Sequence, residues 1–241
     1  MISIVIPTLN EAQVLADTIK NIRTIISSEI EIIVTDGNSS DETIKIAKKL
    51  ADKLVIHNSL ERQTIAHARN AGAALATGDY LLFLDADVVV PNASEFMRKI
   101  LAEFQQNLKL VAVTVKLEVL PSLSTWSDIL FSKIAINWPH LVNNNILKIG
   151  SASGEFQFIR RSVFNEIGGF NEKLVSCEDL NMFERLARVG ETKMLYSLVV
   201  YHTGRRFHKI GWSRVLMTWI VNIIYYKLFG FTKSKEWTVV R

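Results

Sequence analysis

The sequence predicts an α/β domain, a mostly parallel, doubly wound sheet flanked by helices, followed by a hydrophobic helical extension. Three observations carry this. Apolar runs of strand length alternate with segments of helical period from residue 2 to residue 84. The runs are nearly continuous in apolar residues, as in strands covered on both faces. Polar, turn-rich segments follow the runs, at the strand ends where open α/β sheets bind ligands.

Residues 2–6 form the first run, ended by Pro7. Residues 10–26 have helical period, with Ala12, Leu15, Ile19 and Ile22 on one face. Residues 31–35 form a second strand that enters the turn Asp36-Gly-Asn-Ser-Ser40. Ser39 and Glu42 have capping-box spacing for a helix reaching Ala51. Residues 54–57 read as a strand, 64–76 as an Ala-rich helix stopped near Gly78, and 80–84 as the fourth strand. Beyond it come a helix over 94–106 and a strand over 110–120. Residues 121–150 hold Trp126, Phe131, Ile134, Ile136 and Trp138 but show no clean period. A strand over 156–159, a short helix over 161–167, a helix over 178–189 and a strand over 193–200 complete the domain, with Gly168-Gly169 as a helix stop. The division expected is a domain over 1–206 and an extension over 207–241.

With 241 residues, 49% of them hydrophobic, the chain has ample material for a core. Its net charge of +4 suits phosphate ligands or an anionic membrane surface. No dense basic stripe interleaved with aromatics is present, which argues against nucleic acid. Cys177 is the sole cysteine, so no internal disulfide can form and a reducing compartment is expected. The chain opens on a strand rather than a signal peptide, so the expected location is cytoplasmic. Residues 215–226 carry no charge; Arg214 and Lys227 flank them, with Trp212, Trp219, Tyr225 and Tyr226 as interfacial-type aromatics. The run falls short of the roughly 20 apolar residues that span a bilayer. It would lie in the interface on the inner face of the cell membrane, or pack on the domain or on a second copy in a homodimer.

The stretch Tyr80-Leu-Leu-Phe-Leu-Asp85-Ala-Asp87 is the most informative. Side chains alternate along an extended chain, so Asp85 and Asp87 share one side at the strand's end. Two hard oxygen ligands there suit Mg²⁺ or Mn²⁺ holding a diphosphate. The plainer reading is a pair of turn-capping aspartates.

Six segments in order resemble the inverting family 2 glycosyltransferases of the GT-A fold, over residues 2 to about 206. They are Pro7-Thr-Leu-Asn10-Glu11, Asp36-Gly-Asn-Ser-Ser-Asp41, Arg69-Asn70-Ala-Gly72, Asp85-Ala-Asp87, Gly168-Gly-Phe170-Asn-Glu172 and Cys177-Glu178-Asp179. The resemblance implies a nucleotide-diphosphate sugar as donor and a glycan or lipid-linked acceptor. It places Pro7, Thr8, Asn10, Glu11, Asp36, Arg69, Asn70 and Asp85 around the nucleotide, and Asp87, Asp85 and His202 at a Mn²⁺ or Mg²⁺ ion. It makes Asp179 the general base, with Glu178 beside it. Arg205 and Arg206 would clamp phosphates and Glu155 would touch acceptor. Structural alternatives stand beside these roles: helix-dipole stabilisation for Glu178 and Asp179, a surface charge for Arg69, a helix cap for Asn70 and a buried structural role for His202. The remaining histidines, His57, His67, His140 and His208, read as structural or exposed.

The departures from the family pattern matter as well. Thr35 stands where many relatives carry a second Asp, and no Gln-x-x-Arg-Trp motif of processive synthases is present. Transfer of one sugar is therefore expected. A sugar-phosphate nucleotidyltransferase would carry a Gly-rich, basic loop after the first strand, which Pro7–Glu11 lacks. A non-catalytic nucleotide-sugar binder would not need the Asp85, Asp87 and Asp179 set.

Overall fold

The computed structural model describes residues 1–25, 29–59 and 62–234. The seven-stranded sheet has the order β3-β2-β1-β4-β6-β5-β7. Its strands are β1 (Ile2–Thr8), β2 (Ile30–Asp36), β3 (Lys53–Ile56), β4 (Tyr80–Leu84), β5 (Leu110–Val119), β6 (Phe156–Arg160) and β7 (Glu191–His202). β6 runs antiparallel to both of its neighbours, and every other adjacent pair is parallel.

Alternation along β1 divides the core in two. Ile4 and Ile6 join the cluster packed by α1 (Leu15–Ile22) and α4 (Ala93–Gln106). Val5, with Ile33 and Phe83, joins the opposite cluster under α3 (Ile65–Ala74) and α8 (Glu178–Val189). Helices on both faces explain why the strands read as continuous apolar runs. Gly72 of α3 lies so close to β1 that a Cβ there would stand 2.4 Å from Val5 Cγ1. This close approach seats α3 on the sheet and fixes Arg69, one turn earlier, beneath the strand ends.

Four local expectations differ from the structure. Pro7 does not end β1: it pairs in register with Thr35, at a level where β1 no longer pairs with β4 and the missing N–H costs no bond on that side. The first helix begins at Leu15, because Asn10 adopts a left-handed φ of 57° and residues 12–14 form turns. It ends at Ile22, with Arg23 as its C-cap, short of the expected end at residue 26, a position outside the described residues. The Ser39–Glu42 capping box does not form. Ser39 Oγ instead donates to Asp36 Oδ2 (2.7 Å), and Asp41 Oδ1 accepts the Thr43 N–H (3.0 Å) at the start of α2 (Thr43–Leu50). Residues 126–146 are helical throughout: α5 (Trp126–Phe131) and α6 (Trp138–Leu141) are joined and followed by π-helical turns, Ser132–Asn137 and Val142–Ile146. Turns closed by i→i+5 bonds do not keep a 3.6-residue period, which accounts for the missing pattern. Asparagine side chains fasten this arm to the sheet. Asn137 pairs with both backbone groups of Leu117 (2.9 Å each), and Asn145 does the same with Met194 (2.8 and 3.0 Å).

After β6 come α7 (Arg161–Glu166) and α8; after β7 come α9 (Arg205–Ile210) and α10 (Trp212–Phe229). Phe207, Trp212 and Val215 are buried in the larger core cluster. The Trp212 ring stacks on Phe207 at 3.6 Å between centroids, and its indole N–H donates to Asp128 Oδ1 at 2.7 Å. Among the described residues no helix is long and apolar enough to cross a membrane. The part of the expected extension beyond residue 234 lies outside them.

Candidate active site

The carboxyl ends of β1, β4 and β7 open on one cavity of about 300 Å³. Of the residues expected at the site, Pro7, Thr8, Glu11, Asp85, Asp87, Glu155, His202, Arg205 and Arg206 line it. β1 delivers Thr8; β4 delivers Asp85 and Asp87 just past its last residue; His202 is the last residue of β7, and Arg205 opens α9.

Arg205 ties two strand ends together. Its guanidinium donates to both Glu11 oxygens (2.9 and 3.2 Å), and its Nε lies 3.3 Å from Asp87 Oδ2. Thr203 Oγ1 also donates to Asp87. Asp85 is pushed up to about 6, first by burial and further by the Asp87 charge, although Arg69 pulls in the opposite direction. Burial and the nearby Asp85 push Glu155 up to about 7. Burial holds His202 below its ordinary value. Its Nδ1 accepts the Gly204 N–H (3.2 Å), so the neutral ring carries its proton on Nε2, a buried atom with no hydrogen-bond partner.

Behind the cavity lies a second layer centred on Arg69, which is 1% exposed. One Nη reaches Asp179 (2.6 Å) and Glu178 (3.2 Å); the other reaches Asp85 (3.3 Å) and the Gly154 carbonyl (3.0 Å). Gly154 is required by this approach, since a Cβ there would stand 2.4 Å from Arg69 Nη2. Three carboxylates around the buried guanidinium raise its pKa, outweighing the burial that opposes its charge. Of the acidic pair opening α8, the Asp179 side chain is 18% exposed and that of Glu178 is 7% exposed. Burial and the adjacent Asp179 carboxylate push Glu178 well above the usual carboxylate range. Cys177, in a left-handed conformation with φ 62°, turns the chain into α8; burial and Glu178 push its thiol up to about 12.

Other expected residues do not line the cavity. Asp36 is fully buried, and its carboxylate is occupied by Thr8 Oγ1, Ser39 N and Ser39 Oγ, each at 2.7 Å. Asn10 holds the same loop, accepting the Ser40 N–H at 2.8 Å. Asn70 pairs with both backbone groups of Phe170 (2.8 and 2.9 Å) and with Glu172. His140 bonds Ser151 and His208 bonds Asp128. Sequence reasoning missed Gln157, whose Nε2 donates to Asp179 Oδ1 (2.5 Å), and Thr203. It also missed Trp219 of α10 as a wall of the cavity. Position on β6 beside β4 could have pointed to Gln157; no local signal marks the other two.

The fold and the crevice define an α/β protein with a carboxylate-lined ligand site at the ends of its parallel strands. The chain belongs to glycosyl transferase family 2, whose model matches residues 3–168. A "PGL/p-HBAD biosynthesis glycosyltransferase" of Mycobacterium bovis is 32% identical over 176 residues, covering 71% of this chain and 63% of that protein. The "Beta-monoglucosyldiacylglycerol synthase" of Trichormus variabilis is 26% identical, covering 90% of this chain and 50% of that protein. The chain thus spans about half to two thirds of these relatives' lengths. Among solved structures, the mannosyltransferase PcManGT from Pyrobaculum calidifontis, in complex with GDP-Man and Mn²⁺, superposes with a TM-score of 0.71 at 19% identity. That match covers 97% of this chain and 65% of the other. S. aureus TarS in complex with UDP gives a TM-score of 0.64 at 19% identity, over 92% of this chain and 65% of the other. Both similarities are to the GT-A fold.

Proposed function

We propose that the chain is a metal-dependent, inverting glycosyltransferase that moves one sugar from a UDP- or GDP-linked donor to a hydroxyl or lipid-phosphate acceptor. The observation that carries this is the Arg69 guanidinium, which bridges Asp85 at the donor cavity to Asp179 at the start of α8. Donor-side and acceptor-side carboxylates are thereby held within one side chain's reach of each other. The nucleotide sugars bound in the PcManGT and TarS structures support the donor class, and the Trichormus relative named as a diacylglycerol glycolipid synthase supports a lipid acceptor. A nucleotide-sugar donor and a single cysteine suit action on the cytoplasmic face.

Mn²⁺ or Mg²⁺ fits the residues present. Asp85, Asp87 and Glu155 crowd one cavity, and burial pushes two of them toward the neutral form, a cost that a bound cation relieves. Among the described residues no three His, Cys, Asp or Glu side chains converge on one point, so donor phosphate oxygens and water would complete the coordination. When bound, the ion neutralises charge on the departing diphosphate. Asp87 and Asp85 would hold it. His202 Nε2–H would donate to a phosphate oxygen rather than ligate, since its Nδ1 is already an acceptor. Thr8, Glu11 and the loop fastened by Asp36 and Asn10 would hold the nucleoside.

The acceptor oxygen attacks C1 from the face opposite the diphosphate. The new C1–O bond forms as the C1–O bond to diphosphate breaks; the proton of a hydroxyl acceptor passes to Asp179, whereas an ionised lipid phosphate attacks with no proton to lose. Gln157 and Arg69 aim that carboxylate. Glu178, pushed toward its neutral form, does not compete for the proton. Calorimetric titration of UDP, GDP and CDP with and without Mn²⁺ tests the reading. Metal-dependent binding of one nucleotide is expected; folded protein that binds none of them would overturn it.

A further inference from the structure

The cavity wall formed by Trp219 belongs to a helix with a second face. On α10, Met217, Ile220, Ile224 and Leu228 are exposed at 69%, 57%, 49% and 69% and recur at helical spacing, so they form one outward apolar stripe. The opposite side of α10 is tied down: Val215 is in the core, and the Tyr226 hydroxyl donates to Glu184 of α8 (2.8 Å). The arm over 126–146 carries further exposed apolar side chains, Trp126, Ile129, Trp138 and Ile146. The two elements join where Trp212 reaches Asp128 and stacks near Phe131.

The charge on these segments is one-sided. Residues 121–150 and 203–234 contain eight Lys and Arg and a single acid, Asp128. Asp128 is buried, 1% exposed, and occupied by Thr125, His208 and Trp212, so it contributes little outward charge. The rest of the chain carries 20 Lys and Arg against 23 Asp and Glu, so the protein's whole positive excess lies here. Lys133, Lys148, Arg214 and Lys233 are exposed beside the apolar side chains, and Lys227 pairs with Glu184. Exposed apolar surface bordered by cations and lacking exposed acids complements an anionic bilayer; a protein partner would not require one sign of charge.

We propose that α10 and the 126–146 arm form a platform that rests on an anionic lipid surface, with the acceptor drawn into the cavity from that surface past Trp219. The acceptor class, a membrane-resident amphiphile, rests on the glycosyltransferase reading; the docking itself does not. The unusual helical arm then has a reason: it widens the footprint of α10, too short and too polar at its ends to anchor alone.

Sedimentation of the full chain with vesicles, without donor or metal, tests the platform separately from the transfer chemistry. Vesicles of equal parts phosphatidylglycerol and phosphatidylcholine should bind about tenfold or more tightly than phosphatidylcholine alone, and added salt should weaken binding. The double variant Ile220→Glu, Ile224→Glu should lose at least about tenfold in vesicle affinity. Its melting temperature and nucleotide affinity should stay as in the parent. The charge reversals Lys148→Glu and Arg214→Glu, at exposed positions that leave the core untouched, should weaken binding similarly. No binding to either vesicle, or binding indifferent to phosphatidylglycerol, would overturn the proposal. A dimer in solution that the Ile220, Ile224 double variant splits into monomers, with no vesicle binding, would assign the surface to a second copy and overturn it too.

Discussion

Arg69 Nη1 lies 2.6 Å from Asp179 Oδ1, joining residues 110 positions apart in the chain. The same side chain reaches Glu178, Asp85 and the Gly154 carbonyl, and its Cζ sits 5.4 Å from the Phe170 ring centre. A buried cation with three carboxylate neighbours organises a site, because removing it leaves those charges uncompensated away from water.

Arg69→Ala is therefore expected to cost about 3–5 kcal/mol of unfolding free energy, read by urea denaturation. Arg69→Lys should recover little, since one ammonium cannot reproduce the forked contacts to Asp179 and Asp85. A loss below about 1 kcal/mol, the scale of an exposed ion pair, would show that the cluster is not the organising contact.

The acidic pair of α8 separates cleanly by substitution. Asp179→Asn keeps an acceptor for Arg69 but cannot take a proton, so transfer should fall about a hundred- to ten-thousandfold while nucleotide affinity is kept. Glu178→Gln mimics a side chain already pushed toward its neutral form, so transfer should persist. Steady-state rates beside nucleotide titrations measure both; the reverse ranking would assign the base to Glu178.

At the donor end, Asp87 accepts from Thr203 and pairs with Arg205. Asp87→Asn should lower Mn²⁺-dependent nucleotide affinity by about tenfold or more and leave metal-free binding nearly as it was. Calorimetry with and without Mn²⁺ measures the two. Equal loss in both conditions would mean that Asp87 serves Arg205 alone.

Burial pushes the Asp128 carboxyl up, but hydrogen bonds from Thr125, His208 and Trp212 outweigh it and hold the group at about 2, below its ordinary 3.8. A folded pKa below the unfolded one adds stability that is fully present above about pH 4 and is lost as pH falls through about 2. Asp128→Asn should thus destabilise the protein by about 2 kcal/mol at neutral pH, a gap that narrows between pH 4 and pH 2. Thermal melts across that range measure it, and a gap independent of pH would contradict the assignment.

Some of this architecture is legible locally. Tyr80–Leu84 reads as a strand because five consecutive apolar or aromatic residues end at Asp85, and the structure places β4 there. Asp85 and Asp87 share the cavity, but across a turn at Ala86-Asp87 closed by the Val88 N–H to the Asp85 carbonyl (3.2 Å) rather than by the alternation of an extended chain. The helix read over 64–76 is α3, which begins at Ile65, and Thr64 caps it by accepting the His67 N–H. The arm over 126–146 was not legible, because its π turns break the helical period and its fastening depends on asparagines that pair with distant strands. The family resemblance implies that Asp36 sits at the nucleotide, yet its carboxylate faces Thr8 and Ser39.

Local signals suffice for apolar runs that become strands, for the helical period of most helices, and for carboxylates delivered by a strand end. Which of those groups meet depends on the packing of the whole chain. β6 enters antiparallel between β4 and β5, which sets Gln157 and Gly154 against Arg69 and Asp179. The return of α10 over the crevice makes Trp219 a wall of the cavity. The physical reason is that periodicity and capping act over a few residues along the chain, whereas burial and ion pairing act over a few ångströms in space, between residues that strand order brings together.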